Sequence, residues 1–253
     1  MLLKKGKHFL LATYRTFATM RKTHIIWFLM LAIVMNCSSS DDTSADPVLP
    51  KTFKMLSLGD SYTIGQSVCD TCRFPEQLKD SLKQRYTEQD TFKLQVIAQT
   101  GWTTTNLINA IASETLTDDH DLVTLLIGVN NQFQGKPFSL YEIEFPQLIE
   151  TAVTAAKGDK NNLIVLSIPD YAYTLFGQNF GNPATTSSQI DMYNNFAEAY
   201  CNEQNITFLN ITDITRQGLD NPELIASDNL HPSEIAYSKF VERLLPLAIE
   251  KIE

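Results

Sequence analysis

The segment FKMLSLGDS, residues 53–61, carries an apolar run that ends in glycine, aspartate and serine. A short apolar run bounded by a turn signal is typical of a buried strand. Two further runs have the same character: LVTLLI at residues 122–127 and LIVLSI at residues 163–168. Strands with continuous apolar sequences occur in parallel sheets that are covered on both faces. The three segments therefore predict an α/β domain built on a parallel sheet.

Helical and extended patterns alternate through residues 51–253. Phe74, Leu78 and Leu82 lie four residues apart, which indicates a helix. The predicted order is strand 53–58, helix 74–86, strand 92–98, helix 103–116, strand 122–127, helix 146–156, strand 163–168, helix 189–203, strand 207–210 and helix 232–249. Pro146 is expected in the first turn of its helix, and Pro246 is expected to disturb the last helix. Five parallel strands with helices on both faces predict a three-layer α/β/α architecture.

The first 36 residues differ from the rest in charge. They hold six of the 20 basic residues and none of the 29 acidic ones, so residues 37–253 carry a net charge near −15. Such a surface repels phosphate backbones, and we expect no binding of nucleic acid. We also expect the protein to be a monomer.

The same segment predicts export. A basic start at Met20 precedes an apolar run at residues 25–35, and Cys37 follows it directly. This order resembles a bacterial lipoprotein signal, in which the cysteine receives the lipid; an uncleaved membrane anchor is the alternative. We expect residues 1–36 to be the signal peptide, with a true start at Met20, residues 37–50 to be a flexible tether, and residues 51–253 to form the domain. The expected location is the outer membrane or the cell surface.

Polar or glycine residues follow three of the predicted strands. Ser61 follows the first strand, Gly101 follows the second, and Asn130 follows the third. Ligands of parallel α/β sheets bind beyond the carboxyl ends of the strands, so these residues are candidates for one site. Each also has an ordinary interpretation as a turn residue. Gly59 is expected to permit the tight turn before Ser61.

Asp228 and His231 precede the last predicted helix. Pro232 restrains His231 to an extended conformation, and Asp228 can then reach one ring nitrogen while the other stays free for a nucleophile. The alternative is a capping aspartate and a surface histidine. His120 lies before the third strand, at the opposite edge of the sheet from Ser61, so His231 is the histidine of the domain that can serve a site at that edge.

These four short motifs, in this order, resemble the SGNH hydrolase family of GDSL-like esterases and lipases. The resemblance implies a flavodoxin-like sheet with strand order 2-1-3-4-5. It also implies that Ser61 is the nucleophile, that His231 is its general base, and that Asp228 orients His231. The N–H groups of Ser61 and Gly101 and the amide of Asn130 would form the oxyanion hole.

Two features of the sequence bear on this resemblance. The sequence GxND is frequent in the family's asparagine motif, and here Asn131 replaces the aspartate; we do not expect this change to abolish catalysis. Position 63 is threonine, so the chain lacks a G-x-S-x-G elbow, which argues against an α/β-hydrolase of that type.

Two other segments say less about the function. Cys69 and Cys72 can form a small disulfide after Ser61, remain free thiols, or supply half of a metal site, and the disulfide is favoured in an exported protein. Cys201 reads as a structural thiol on an apolar helix face. Residues 170–187 are expected to form a long aromatic loop, either as a wall of the site or folded onto the domain.

The sequence thus predicts a serine esterase that needs no metal or organic cofactor. Its expected substrate is a small-molecule or glycan ester, in particular an O-acetylated carbohydrate. Two alternatives remain open: a lysophospholipase or thioesterase, and a non-catalytic glycan-binding protein of the cell envelope on the same scaffold.

Overall fold

The computed structural model describes residues 49–252, so the predicted signal peptide and Cys37 lie outside the described residues. The strands are β1 (Thr52–Gly59), β2 (Thr91–Ala98), β3 (Leu122–Leu126), β4 (Leu163–Leu166) and β5 (Thr207–Leu209). The helices are α1 (Ser61–Ile64), α2 (Phe74–Lys83), α3 (Thr104–Ser113), α4 (Val129–Phe133), α5 (Phe138–Ala155), α6 (Leu175–Asn179), α7 (Pro183–Gln204), α8 (Thr212–Thr215) and α9 (Glu234–Ile252).

The strands form one parallel sheet in the order β2-β1-β3-β4-β5. This order and direction confirm the predicted topology. Every residue of β3 and of β4 is buried, as their apolar sequences indicated. The edge strands β2 and β5 are only partly buried, because each has a neighbour on one side alone.

Helices cover the sheet in two groups. Helix α9 packs against α2, while α5 lies between α3 and α7 and contacts both. The core between the layers is apolar, and the largest of its fully buried side chains are Tyr141, Phe145, Tyr237, Phe74 and Phe240. The three-layer α/β/α architecture predicted from the sequence is therefore confirmed.

One proline prediction was wrong, because Pro146 lies in the middle of α5, which begins at Phe138. Pro246 lies inside α9, which continues to Ile252. A proline inside a helix leaves the carbonyl of the residue four positions earlier without its partner. That residue is Glu142 in α5 and Glu242 in α9, and both residues are exposed.

The prediction of a long loop at residues 170–187 was also wrong. The segment contains a 3-10 turn at Tyr171–Tyr173, the helix α6 and the first turn of α7. Side-chain caps set these boundaries: Asp170, Thr174 and Asn182 each accept a hydrogen bond from a main-chain N–H at the start of the element that follows. The segment is therefore built of short, capped elements.

Candidate active site

The carboxyl ends of β1, β2 and β3 surround one cavity. Ser61, Gly101 and Asn130 line it, and His231 enters from the segment before α9. The cavity measures about 180 Å³, and its remaining walls are mostly apolar. The structure thus brings the predicted serine, glycine, asparagine and histidine together. His120, by contrast, is buried before β3, where its Nδ1 lies 3.1 Å from the carbonyl of Ala155.

Ser61 is held at the start of α1. Asp60 caps this helix, because its Oδ1 accepts a 3.0 Å hydrogen bond from the N–H of Tyr62. Gly59 is required by close packing, since a Cβ there would lie 2.1 Å from the Thr63 hydroxyl and 2.5 Å from the carbonyl of Leu126. The expected reason, a turn that only glycine permits, was wrong, because Gly59 has no left-handed φ.

Asp228 and His231 form a direct pair. Nδ1 of His231 lies 2.6 Å from Oδ2 of Asp228. The other carboxylate oxygen accepts 2.9 Å hydrogen bonds from the main-chain N–H groups of Leu230 and His231. Asn229, between them, adopts a left-handed conformation with φ 62°, which closes the turn. The carboxylate is therefore held on both oxygens.

The charge of Asp228 fixes the tautomer of His231. Burial raises the pKa of Asp228, but hydrogen bonds from Ser67, His231 and the N–H of Leu230 outweigh it and lower the pKa to about 2. The carboxylate is then ionised at neutral pH and can only accept hydrogen bonds. Nδ1 of His231 must carry the proton, and Nε2 is left as the basic nitrogen.

The Ser61 hydroxyl and His231 line the same cavity without a hydrogen bond between them among the described residues. In unliganded hydrolases such bonds are often long and shorten only when the substrate binds. The ring of Tyr62 packs against that of His231, with centroids 5.2 Å apart and planes inclined at 53°. Tyr62 therefore limits the positions that the imidazole can take.

Three possible donors belong to residues that line the cavity. The N–H groups of Ser61 and Gly101 make no hydrogen bond to any other described residue, and Gly101 has a φ of 84° that favours glycine. The amide Nδ2 of Asn130 donates a 3.4 Å hydrogen bond to Oδ2 of Asp60, and its second N–H remains for another acceptor. Such a group of donors suits a developing oxyanion.

Asp60 was not singled out in the sequence, although it lies beside Ser61. Its side chain is fully buried, and this burial raises the pKa of Asp60 to about 7, against the lowering effect of the hydrogen bonds from Tyr62 and Asn130. A carboxyl group that titrates near neutrality at a site is a functional signal. The sequence could not supply it, because the burial that raises this pKa arises only when the chain is folded.

Asn131 lies behind the site and is fully buried. Its Oδ1 accepts a 2.9 Å hydrogen bond from the N–H of Thr104, and its Nδ2 donates a 2.6 Å bond to the Thr104 hydroxyl. That hydroxyl donates in turn to the carboxylate of Glu144 on α5. Asn131 thus joins the segment of Asn130 to the helix that follows Gly101.

The segment of residues 170–187 forms part of the wall. Tyr171 lines the cavity beside Phe133, and the rings of Phe176 and Phe180 pack on Phe133 with centroids 6.2 and 4.9 Å away. Phe133 and Phe180 are 38% and 44% exposed, so this aromatic cluster continues from the cavity to the surface. Of the two interpretations left open, the wall is the one that the structure favours.

The cysteines have separate roles. A disulfide joins Cys69 to Cys72, which uses both thiols and leaves neither for a metal. Cys201 is buried on α7, and burial raises the pKa of its thiol to about 12, so it stays protonated. In residues 49–252 no cluster of three or more histidine, cysteine or acidic side chains could hold a metal ion. The same residues contain no helix that is long and apolar enough to cross a membrane.

The sequence motifs and this geometry agree with a known family. Residues 57–239 match the family model of the GDSL-like lipase/acylhydrolase family. The chain belongs to this family. As a GDSL-like acylhydrolase, it is a serine hydrolase that acts on ester bonds. A search of curated protein sequences finds no match to the chain.

Solved structures share the fold of this GDSL-like hydrolase at low identity. A lipase/acylhydrolase from Enterococcus faecalis is 19% identical, with a TM-score of 0.58 over 77% of this chain and 94% of that one. An acetylxylan esterase from Geobacillus stearothermophilus is 18% identical, with a TM-score of 0.59 over 78% and 94%. The esterase EstA from Pseudoalteromonas sp. is 17% identical, with a TM-score of 0.58 over 78% and 97%.

Proposed function

We propose that the protein hydrolyses short-chain carboxylic esters, acetyl esters above all, through an acyl intermediate on Ser61. One observation carries this proposal: the Ser61 hydroxyl, the Asp228–His231 pair and the three donors all meet at a single cavity of about 180 Å³. Each group has the chemistry that one step of ester hydrolysis requires.

In the first half of the reaction, Nε2 of His231 takes the proton of the Ser61 hydroxyl as the oxygen attacks the ester carbonyl. The N–H groups of Ser61 and Gly101 and the amide of Asn130 stabilise the oxyanion that forms. The tetrahedral intermediate collapses, the carbon–oxygen bond to the alcohol breaks, and the imidazolium of His231 protonates the leaving alkoxide. Asp228 stabilises that imidazolium by its charge.

In the second half, His231 takes a proton from water while the water oxygen attacks the acyl-Ser61 carbonyl. The same donors stabilise the second oxyanion. Collapse breaks the bond to Ser61, whose oxygen recovers a proton from His231, and the carboxylic acid leaves. The balance is one ester and one water consumed, with one acid and one alcohol released. No step requires a metal or an organic cofactor.

The size and walls of the cavity support a short acyl group. A dry cavity of roughly 150 Å³ in another protein holds a single benzene ring, so about 180 Å³ suits a small group rather than a long chain. Val129, Phe133 and Leu230 make its walls apolar. The exposed aromatic cluster of Phe133 and Phe180 can stack on the apolar face of a sugar, which supports an O-acetylated carbohydrate as the alcohol part.

A series of p-nitrophenyl esters from acetate to laurate, together with acetylated xylo-oligosaccharides, tests the proposal on the purified protein. We expect kcat/KM to be highest for acetate and to fall as the chain lengthens. A steady rise toward laurate would favour a lysophospholipase or thioesterase. Binding of glycans without turnover, and without labelling of Ser61 by a fluorophosphonate, would favour the non-catalytic alternative.

We also propose that the enzyme is an exported monomer anchored by lipid on Cys37, with small esters rather than nucleic acids as partners. The basic start, the short apolar run and the cysteine that follows it support this anchor. Intact-mass measurement of protein extracted from the cell envelope tests it. The expected mass is that of residues 37–253 plus lipid, and an unmodified Cys37 within a longer chain would contradict the proposal.

A further inference from the structure

Ser67 makes a contact with the catalytic pair that the reaction described above does not use. Its hydroxyl donates a 2.6 Å hydrogen bond to Oδ2 of Asp228, which lies 161 residues later in the chain. The same carboxylate oxygen receives Nδ1 of His231, also at 2.6 Å. Ser67 and His231 are the two partners of this oxygen among the described residues, so Ser67 opposes any rotation of the carboxylate away from His231.

The main chain at Ser67 is held in a conformation that serine rarely adopts. Its φ is 68°, in the left-handed region, where a residue with a Cβ is disfavoured and glycine or asparagine is usual. Residues that keep such a conformation are concentrated at functional sites. A serine at this position therefore indicates a use for its hydroxyl, and the bond to Asp228 is the hydrogen bond that this hydroxyl makes.

The loop around Ser67 is anchored to the nucleophile. The N–H groups of Gly65 and Gln66 both donate to the carbonyl of Ser61, at 3.1 and 3.0 Å. The disulfide between Cys69 and Cys72 closes the loop on its other side. The position of the Ser67 hydroxyl is thus set by the same segment that carries Ser61, and it connects the serine and histidine parts of the site.

We propose that Ser67 is a positioning residue, which fixes the Asp228 carboxylate and through it the imidazole of His231. This inference rests on the proposed role of His231 as the general base. Asp228 is already tied through Oδ1 to the N–H groups of Leu230 and His231, so its position survives the loss of Ser67. What is lost is the orientation of Oδ2, on which the alignment of Nε2 with Ser61 depends.

The variants Ser67→Ala and Ser67→Gly distinguish the effect of the lost hydroxyl from the effect of main-chain strain at position 67. Both remove the hydrogen bond, but glycine adopts the left-handed conformation without strain. We expect kcat for p-nitrophenyl acetate to fall roughly 10-fold in both variants, with KM nearly unchanged, since a hydrogen bond to a charged group is lost. Ser188→Ala, at an exposed serine of α7, is the matched control and should keep full kcat. Full kcat in Ser67→Gly would overturn the proposal.

The Asp228→Ala background tests whether Ser67 acts through Asp228. In that background Ser67→Ala should lower kcat by less than twofold, because the carboxylate that Ser67 holds is gone. An equal loss in both backgrounds would show a merely structural role for the loop and overturn the proposal.

A measurement without turnover distinguishes this inference from the proposed function. In proton NMR spectra, the Nδ1–H of His231 should give a low-field resonance that Asp228→Ala abolishes and Ser67→Gly weakens or shifts. An unchanged resonance in Ser67→Gly would overturn the positioning role even if the protein hydrolysed no ester. Failure of the proposed function would instead appear as absent turnover with the resonance still sensitive to Ser67.

Discussion

At the scale of single residues, the candidate site depends on which atoms are held and which are left free. Asp228 uses both carboxylate oxygens to hold the segment of His231, while the N–H groups of Ser61 and Gly101 remain without partners in the described part of the chain. Their presence among the residues that line one cavity agrees with the proposed oxyanion hole.

The triad gives the first prediction. Ser61→Ala and His231→Ala should each remove nearly all esterase activity, since one removes the nucleophile and the other removes the proton acceptor. Asp228→Asn should retain more activity than either, because orientation of His231 is only part of the base's work. Initial rates with p-nitrophenyl acetate measure the effects, and circular dichroism checks the fold. Full activity in His231→Ala would reject His231 as the base.

Asp60 gives a prediction on stability. Its pKa is about 7 in the folded protein and 3.8 without burial, so the folded state holds a proton that the unfolded state releases between these values. The contribution of Asp60 to the free energy of unfolding is fully present below pH ~4 and is lost as the pH rises through ~7. The loss over this range is on the order of 4 kcal/mol. Asp60→Asn should therefore gain stability relative to the native protein as the pH rises.

Urea unfolding from pH 4 to pH 8 measures this difference, and a gap between the two proteins that does not change with pH would contradict the assignment. The same variant should lose activity. Asparagine at position 60 can accept from Tyr62 but then directs its own amide nitrogen at Asn130, and two donors cannot bond. We expect kcat to fall by up to the roughly 10²–10³-fold that loss of one oxyanion donor costs.

At the scale of elements, α3 and α5 are joined by hydrogen bonds from the hydroxyls of Thr104 and Thr105, which both donate to the Glu144 carboxylate. Asn131 donates to the Thr104 hydroxyl, and that hydroxyl donates to Glu144. The direction of these two bonds explains why asparagine replaces the aspartate that is frequent at this position in the family. An aspartate would have no proton to donate, and the one hydroxyl proton of Thr104 cannot serve two carboxylates.

Asn131→Asp should therefore destabilise the protein by about 1–3 kcal/mol at pH 8, because the one proton of the Thr104 hydroxyl would have to be shared between two buried carboxylates. The double variant Asn131→Asp, Glu144→Gln should recover most of this loss, since glutamine can donate to the Thr104 hydroxyl and leave its proton for the aspartate. Denaturant unfolding of the three variants measures the effects. Equal instability of the single and double variants would contradict the direction of the hydrogen bonds from Asn131 to Thr104 and from Thr104 to Glu144.

At the scale of the whole molecule, the wall segment is tied to the rest of the fold by a buried charge. Asp170 is fully buried, and Arg216 donates to it from after α8 at 2.9 Å. Arg216 also contacts Asp191 on α7 at 2.6 Å. One guanidinium group thus connects the segment after β4 to α7 and to the end of α8.

Arg216→Ala should lower the free energy of unfolding by about 3–5 kcal/mol, because removal of one partner leaves a buried carboxylate without its counter-ion. Arg243→Ala is the matched control: the pair of Arg243 with Asp213 is largely exposed, and its loss should cost less than about 1 kcal/mol. Thermal and urea unfolding measure both. Similar losses in the two variants would show that burial of Asp170 does not govern the effect.

The sequence by itself determined the parallel sheet and the residues at its carboxyl edge, while the strand order followed from the resemblance of its four short motifs to the SGNH hydrolase family. Continuous apolar strands and short motifs after them are local signals, and parallel topology brings the ends of strands together whatever the loops do. Ser61, Gly101, Asn130 and His231 could therefore be predicted to share a site before any contact was known.

The tertiary structure decided the features that depend on contacts between residues far apart in the chain. The two prolines remain inside helices because tertiary packing outweighs their propensity. The segment of residues 170–187 is ordered by caps and by the aromatic cluster of Phe133, Phe176 and Phe180 rather than by a periodic pattern. The contacts of Asp60 with Asn130 and of Ser67 with Asp228 join residues far apart in the chain, and only folding brings such pairs within hydrogen-bonding distance.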